Sequence, residues 1–555
     1  MKPLKNRREM LCLLLALSFA VLTAFVCSSC GKENPPSPER QAVEQGLDTS
    51  RFLTAVEDEP DTVDFQCTTI HYTVANNVFN RLVETEMDEF GRAYFAPSLA
   101  KSWEVSDDGL NYTFHLRDGV SFSNGSPLMS NDVEYTFTRL LTHPDSCNQD
   151  IVGMVKGAHQ LRSGEVDKLD GFKVLNDRDF TITLEQPFAA FLACLSMSGA
   201  SILDEETTKA AGDRFGLDPD CTIGTGSYIL KTWEPGKGMV LTANQDCWEG
   251  PPCNEGLDLR FRVEPEEVRM MFENGELDVL DLDDIGGASE YYIHGDIYQD
   301  RLHKVPRIAI TYIALNESVA PLDDARVRKA LQLALDRTTL LYAIHDGFGS
   351  VENGIYPYGL KGHNPNLPEI PFSSAEAKRL LEEAGYPDGF DLTVAVNAST
   401  TQREMTLVEL VVDMWKAIGV RASAKVMQED EFMRLRKSGG LACYSAMWTA
   451  DYDDPDNFAN TFFGGRENTT FRSICYQRDD IMDRVHQART ITDDDERIKE
   501  YQDLERIIVQ EDAAWIPLYS RLHLYVVSER VEGFQYLWNG SVKSKYNKFT
   551  LRETG

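Results

Sequence analysis

Four carboxylates crowd one aromatic stretch, Trp448–Phe458, which reads Trp-Thr-Ala-Asp-Tyr-Asp-Asp-Pro-Asp-Asn-Phe. Asp451, Asp453, Asp454 and Asp456 stand among Trp448, Tyr452 and Phe458, and Pro455 fixes the backbone. A carboxylate beside aromatic faces holds an ammonium group well: the charge attracts it, and the rings exclude water and attract it further. The same residues read equally as an acidic, Pro-kinked surface loop with one buried Trp. A calcium loop fails on spacing. Counted from Asp451, the sixth position is Asp456 where Gly is required, and the twelfth is Phe462 where Glu is required. Asp281–Gly286 has its Gly, but Ile285 and Tyr292 occupy ligand positions.

No catalytic constellation emerges. The chain has no Gly-x-Ser-x-Gly elbow and no His-Glu-x-x-His. Cys67 with His71, and His143 with Cys147, stand four apart, but neither pair has a third ligand near it in sequence, so the spacing reads as chance. Gly224-Thr225-Gly226-Ser227-Tyr228 lacks a following Gly-Lys-Ser and runs into a strand pattern, so it reads as a turn rather than a phosphate loop. The expectation is a binding protein without catalytic residues, metal or cofactor.

The elements around these residues alternate. Arg51–Val56 reads as a strand and Thr73–Leu82 as a helix; Trp103–Val105 and Leu110–Leu116 form a hairpin over Ser-Asp-Asp-Gly. Asn131 opens a helix with Glu134 as its capping-box partner. Asp323 or Asp324 caps another, whose Val327, Ala330, Leu331 and Ala334 share a face and whose Arg326, Arg328 and Lys329 read as solvated. Ser373 and Glu376 cap a third, which Gly385 ends. Phe390–Val396, a helix through Leu407, Val411 and Trp415, and a strand with Val420, Ala422, Ala424 and Val426 on one face make a parallel strand–helix–strand unit.

At 555 residues the chain exceeds one core. Lys2, Lys5, Arg7 and Arg8 precede an apolar run from Leu11 to Val26 and small residues at 28 and 29, the pattern of an export signal. The Pro-rich polar stretch that follows reads as a flexible tether. Formal net charge is −34, and removing the basic leader makes it more negative, which disfavours nucleic acid and anionic membrane surfaces as partners. Cys247 and Cys253 flank a turn that a small disulfide would close, although free thiols fit as well.

Pro97–Gly125, with its Trp103, Asp107-Asp108-Gly109, Tyr112, Phe114 and Arg117-Asp118-Gly119, resembles the signature of family 5 extracellular solute-binding proteins, the peptide- and nickel-type receptors of ABC importers. Pro321–Leu331, Lys378–Phe390 and Met414–Val420 read like further phrases of that family, and the similarity runs from Arg51 to Val527. The resemblance implies an α/β, periplasmic-binding-protein-like fold of two lobes (type II) around a cleft. Lobe I would comprise residues 48–80, 203–311 and 520–555, with an extra domain at 81–202, and lobe II residues 312–519, hinged near Tyr312–Asn316 and Pro517–Leu522. Residues 1–29 would be a signal peptide and 30–47 a tether lipidated at Cys30, placing a monomer on the outer face of the cell membrane or in the periplasm.

In peptide-binding members a Trp-x-x-Asp motif supplies the aspartate that pairs with the ligand's α-amino group; here it maps to Asp451, with Trp448 and Tyr452 at the pocket. Arg403, after the Phe390–Val396 strand, stands where dipeptide receptors place a carboxylate clamp, although a solvated Arg is the plainer reading. Tyr228 is a further candidate for the cleft, with packing as the plainer reading. The implied partners are a peptide ligand and a permease with its cytoplasmic ATPase. Nickel, haem or sugar cargo, or a coreceptor role beside a membrane sensor, stay open.

Overall fold

The computed structural model describes residues 49–552 apart from 262 and 544. The signal segment, Cys30 and the tether lie outside the described residues. A mixed twelve-stranded sheet runs through the molecule, and its centre is the strand Trp515–Val527. Trp515–Tyr519 pair antiparallel with Ala309–Leu315, whereas Leu522–Val527 pair with Leu302–Pro306 and Val279–Asp281. One strand therefore serves both halves of the sheet. The chain passes between those halves at residues 306–309 and 519–522, the first a few residues before the expected Tyr312–Asn316.

The apolar cores divide with the sheet. One cluster gathers residues between Ile308 and Tyr519, a second residues between Leu53 and Phe549, and a third residues between Leu82 and Ile202. This third core lies under a separate four-stranded sheet that holds the expected hairpin, Ala100–Val105 with Asn111–Leu116. The fold is the mixed α/β, two-lobed architecture that the resemblance implied.

Local chemistry explains most element boundaries. The Thr73 helix stops at Val78, where Phe79 turns extended. Gly224 packs so close to this bend that a Cβ there would meet the Val78 carbonyl oxygen at 2.0 Å, and the Gly226 N–H donates to the same oxygen. Gly-Thr-Gly is thus a packing turn. The Ser130–Thr142 helix starts a residue earlier than expected, because Asp132 rather than Glu134 accepts the Met129 N–H. Asp324 caps Ala325–Leu333 through the Arg326 N–H. Of that helix's three cations only Arg326 is solvated. Arg328 is buried against Glu317 at 2.9 Å, and Lys329 reaches the Gln510 carbonyl.

The parallel unit forms as its spacing requires: Asp391–Asn397 pairs in parallel with Arg421–Met427 across the helix Gln402–Ala417. Arg421–Met427 is the sheet edge, so of its expected inner face Ala422 is buried but Val426 is 54% exposed. Cys247 and Cys253 are free thiols. Trp415 on the connecting helix is wholly buried, and its indole N–H donates to the Leu331 carbonyl at 2.9 Å. Trp415→Ala should cost about 3–5 kcal/mol of unfolding free energy in urea titration, from the cavity and the orphaned carbonyl together.

Candidate functional site

Cys443–Thr449 pairs along its whole length with Ala309–Leu315, which sets Trp448 opposite Ile310 at the end of the sheet. The Ala450 N–H then donates to the Ile308 carbonyl, and the chain leaves the sheet as the acidic loop before helix Asp456–Phe463. Three of the four carboxylates turn inward. Asp454 makes a bidentate pair with Arg497 at 2.8 and 2.7 Å, both residues being buried. Asp456 accepts the hydroxyls of Tyr452 and Tyr501, with Arg489 Nε 3.0 Å away. Asp453 accepts the Lys361 N–H at 2.7 Å, and burial pushes its carboxyl up to about 6.

Asp451 alone faces a cavity, of about 280 Å³, whose other walls include Tyr72, Asn76, Arg81, Ser198 and Trp538. Asn457 holds it in place. The Asn457 amide oxygen accepts both the Trp448 indole N–H and the Asp451 backbone N–H, and its amide nitrogen donates to Asp451 Oδ2 at 3.1 Å. Asp451 is exposed by area, yet only into this crowded cleft, where surrounding atoms displace water. That desolvation holds its carboxyl above the ordinary range, against the opposing pull of Asn457 and Arg472. Among the described residues no Lys, Arg or His nitrogen lies within 4.0 Å of it. The cations on the far wall are already matched: Arg81 pairs with Glu84 and Lys543 with Glu57, each at 2.6 Å. The cavity therefore presents one oriented, unneutralised carboxylate beside a Trp, which suits a ligand ammonium group.

The other expected site residues lie elsewhere. Tyr452 turns back to Asp456 and packs against the core under the four-stranded sheet. Tyr228 is a core residue, 1% exposed, whose hydroxyl donates to Asn254 and whose phenol burial pushes far up; it does not line the cavity because its ring fills the interior. Arg403 sits in the first turn of Gln402–Ala417 rather than in a loop, 3.3 Å from Asp283, which also pairs with Arg521 at 2.7 Å. Asp281, for its part, meets His523. Cys67 Sγ lies 3.4 Å from His143 Nδ1, a contact across the two pairs seen in sequence. Sequence reasoning missed Asn457 and the walls at residues 71–85, 196–198 and 537–543. A helix-opening Asn six residues after Asp451 was a readable signal; the walls had none.

A sequence model described as bacterial extracellular solute-binding proteins, family 5 middle, matches residues 95–470. The chain is 26% identical over 534 residues to heme-binding protein A of Haemophilus influenzae, covering 94% of this chain and 96% of that protein. It is 26% identical over 486 residues to the dipeptide-binding protein of Escherichia coli, covering 82% and 86% respectively. The solved structure of HbpA2 from Haemophilus parasuis superposes with a TM-score of 0.74 at 26% identity, over 90% of this chain and 99% of that one.

The division between inward and outward carboxylates is measurable as stability. Asp454→Asn takes the bidentate partner from the buried Arg497, leaves it only Asp494 at 2.9 Å, and should cost about 3 kcal/mol in chemical denaturation. Asp451→Asn should leave stability unchanged or raise it. A carboxyl whose folded pKa is raised keeps its proton longer in the native state, so its ionisation weakens the fold as pH climbs through that raised value, and Asn removes the penalty.

Proposed function

The chain belongs to the bacterial extracellular solute-binding proteins of family 5, and on that footing we propose that it captures peptides by their ammonium terminus and delivers them to the permease of an ABC importer. The observation that carries this reading is Asp451: aimed into the cleft by Asn457, next to Trp448, with no cation of its own. Closure of the two lobes buries the ligand, so that main-chain hydrogen bonds and one ion pair carry affinity with little demand on side chains. The family consists of binding proteins that act outside the cytoplasm, and among the described residues no helix is long and apolar enough to cross a membrane. We assign membrane attachment to lipid on Cys30, with the remainder acting as a monomer beside the permease and its ATPase.

Haem is the second reading, favoured by the name of the Haemophilus influenzae relative. The polar wall of Asn76, Thr85, Ser196 and Ser198 favours a peptide backbone over an apolar macrocycle.

Calorimetric titration of the full-length chain with mixed short peptides, free and N-acetylated, tests the reading. Free peptides alone should bind, and Asp451→Ala should weaken them by about 2–5 kcal/mol. Equal binding of acetylated peptides removes Asp451 from the clamp, and binding of haem in place of peptides reverses the order of the two readings. Because Asp451 must ionise to hold an ammonium group, affinity should rise with pH through its raised range and fall once the ligand's amine, with a pKa of about 7.7–8.0, loses its proton.

A further inference from the structure

The two Cys/His pairs that stand four apart in sequence meet in space, but crosswise. Cys67 Sγ lies 3.4 Å from His143 Nδ1, and Cys147 follows the turn that the Ser146 N–H closes onto the His143 carbonyl. The Cys147 N–H donates at 2.9 Å to the Gln66 carbonyl, the acceptor in the peptide unit that joins Gln66 to Cys67. On the next residue, the Asn148 amide nitrogen donates to the carbonyls of Phe65 and Thr68 at 2.9 and 2.7 Å. Residues on both sides of Cys67 are thus tied to Cys147 and its neighbour. Backbones joined in this way hold facing Cα atoms about 5 Å apart, inside the span of roughly 4.4–6.8 Å that a disulfide bridges.

The two thiols differ in their surroundings. Cys147 is exposed, and its Sγ donates to the Asp145 carbonyl at 3.4 Å. Rotation of that side chain turns its sulfur toward Cys67. Cys67 is half-buried, 3.3 Å from Asp64, and burial together with that carboxylate pushes its thiol up to about 12. It therefore needs a base to react. Asp64 is held by Arg139 at 2.5 and 3.2 Å, which makes its oxygens poor proton acceptors. His143 Nδ1 is a better one: it accepts the Asp145 N–H at 3.3 Å, which places a lone pair rather than a proton on the nitrogen facing Cys67. Four other described thiols, Cys194, Cys221, Cys247 and Cys443, are buried away from any soluble oxidant.

This contact adjoins the cavity. From Cys67 the chain runs to His71, Tyr72 and Thr73, which line the cavity that Asp451 faces. The Tyr72 hydroxyl donates to the Thr68 carbonyl at 2.6 Å. Cys147 belongs instead to the stretch between Leu82 and Ile202, which has its own core.

We propose that Cys67 and Cys147 form a disulfide, closed with His143 as the base, that clips this wall segment to the separate core. The family acts outside the cytoplasm, where disulfides form and persist. The oxidant is a soluble disulfide. Cys147, losing its proton to solvent, attacks it, forming a mixed disulfide and releasing one thiol. Cys67 then gives its proton to His143 Nδ1 while its sulfur attacks Cys147 Sγ, and the second thiolate leaves and takes up that proton. Two protein thiols are oxidised, and one disulfide is reduced to two thiols.

The test exposes the reduced full-length chain to oxidised glutathione, alkylates the remaining thiols and maps peptides by mass spectrometry without reductant. The wild type should yield the Cys67 and Cys147 peptides linked to each other, and reduction should separate them. Cys67→Ser should stop at glutathione on Cys147, and Cys147→Ser should leave Cys67 as a free thiol. His143→Gln should take up glutathione at the wild-type rate yet close the disulfide about 100-fold more slowly. Hydrogen exchange across residues 68–72 should slow in the linked wild type and stay unchanged in glutathione-treated Cys67→Ser. A wild type that keeps glutathione on Cys147 without closing, or that never links the two peptides, overturns the disulfide. Closure of His143→Gln at the wild-type rate removes His143 as the base. Unchanged exchange across 68–72 in the linked form overturns the clip on the cavity wall.

Discussion

The bidentate pair between Asp454 and Arg497 is the constraint on which the site depends. Both side chains are almost fully enclosed, and at that depth neither charge is tolerable alone. The pair fixes the loop after Cys443–Thr449 to helix Asp494–Glu505, and Asp456 repeats the device with two tyrosine hydroxyls and Arg489. With its neighbours pinned inward, the loop projects Asp451 the other way. Asn457, on the first turn of the next helix, then sets the carboxylate's angle. The free charge owes its orientation to the paired ones.

A second constraint works at larger scale. Trp515–Val527 gives its first half to one side of the sheet and its second half to the other, so the lobes share a strand while keeping separate cores. Such a layout lets two rigid bodies change angle with few backbone changes, which is what closing on a ligand needs. It also places Asp451, from one lobe, opposite Tyr72, Asn76 and Arg81 from the other. Across this cleft most charges are already matched. Asp451, with no cation within 4.0 Å among the described residues, is the exception.

Much of this was legible in the chain itself. Periodicity and caps located the parallel unit from Asp391 to Met427 and the helix capped by Asp324, because hydrophobic spacing and capping are local chemistry. Where local reading failed, a distant partner had intervened. Arg328 looks like one of three solvated cations until Glu317 and the Asp512 carbonyl are packed against it. Val426 matches an inner-face pattern, but its strand is an edge with nothing packed over that position. Tyr228 is a cleft candidate in the sequence, with packing as the plainer reading, and the structure buries it in the core.

The sequence by itself determined the family, the two-lobed α/β class and the stretch of eleven residues that holds the candidate site, since each follows from motifs and spacings within short windows. It did not determine which of four carboxylates is free. That choice rests on Arg497, Arg489 and the Lys361 backbone, which neutralise or anchor three of them from far along the chain, and on Asn457, which aims the fourth. Charges of one type in one loop are chemically equivalent until folding assigns their partners. Only the tertiary structure makes that assignment, because electrostatic pairing depends on distance in space and not on distance in sequence.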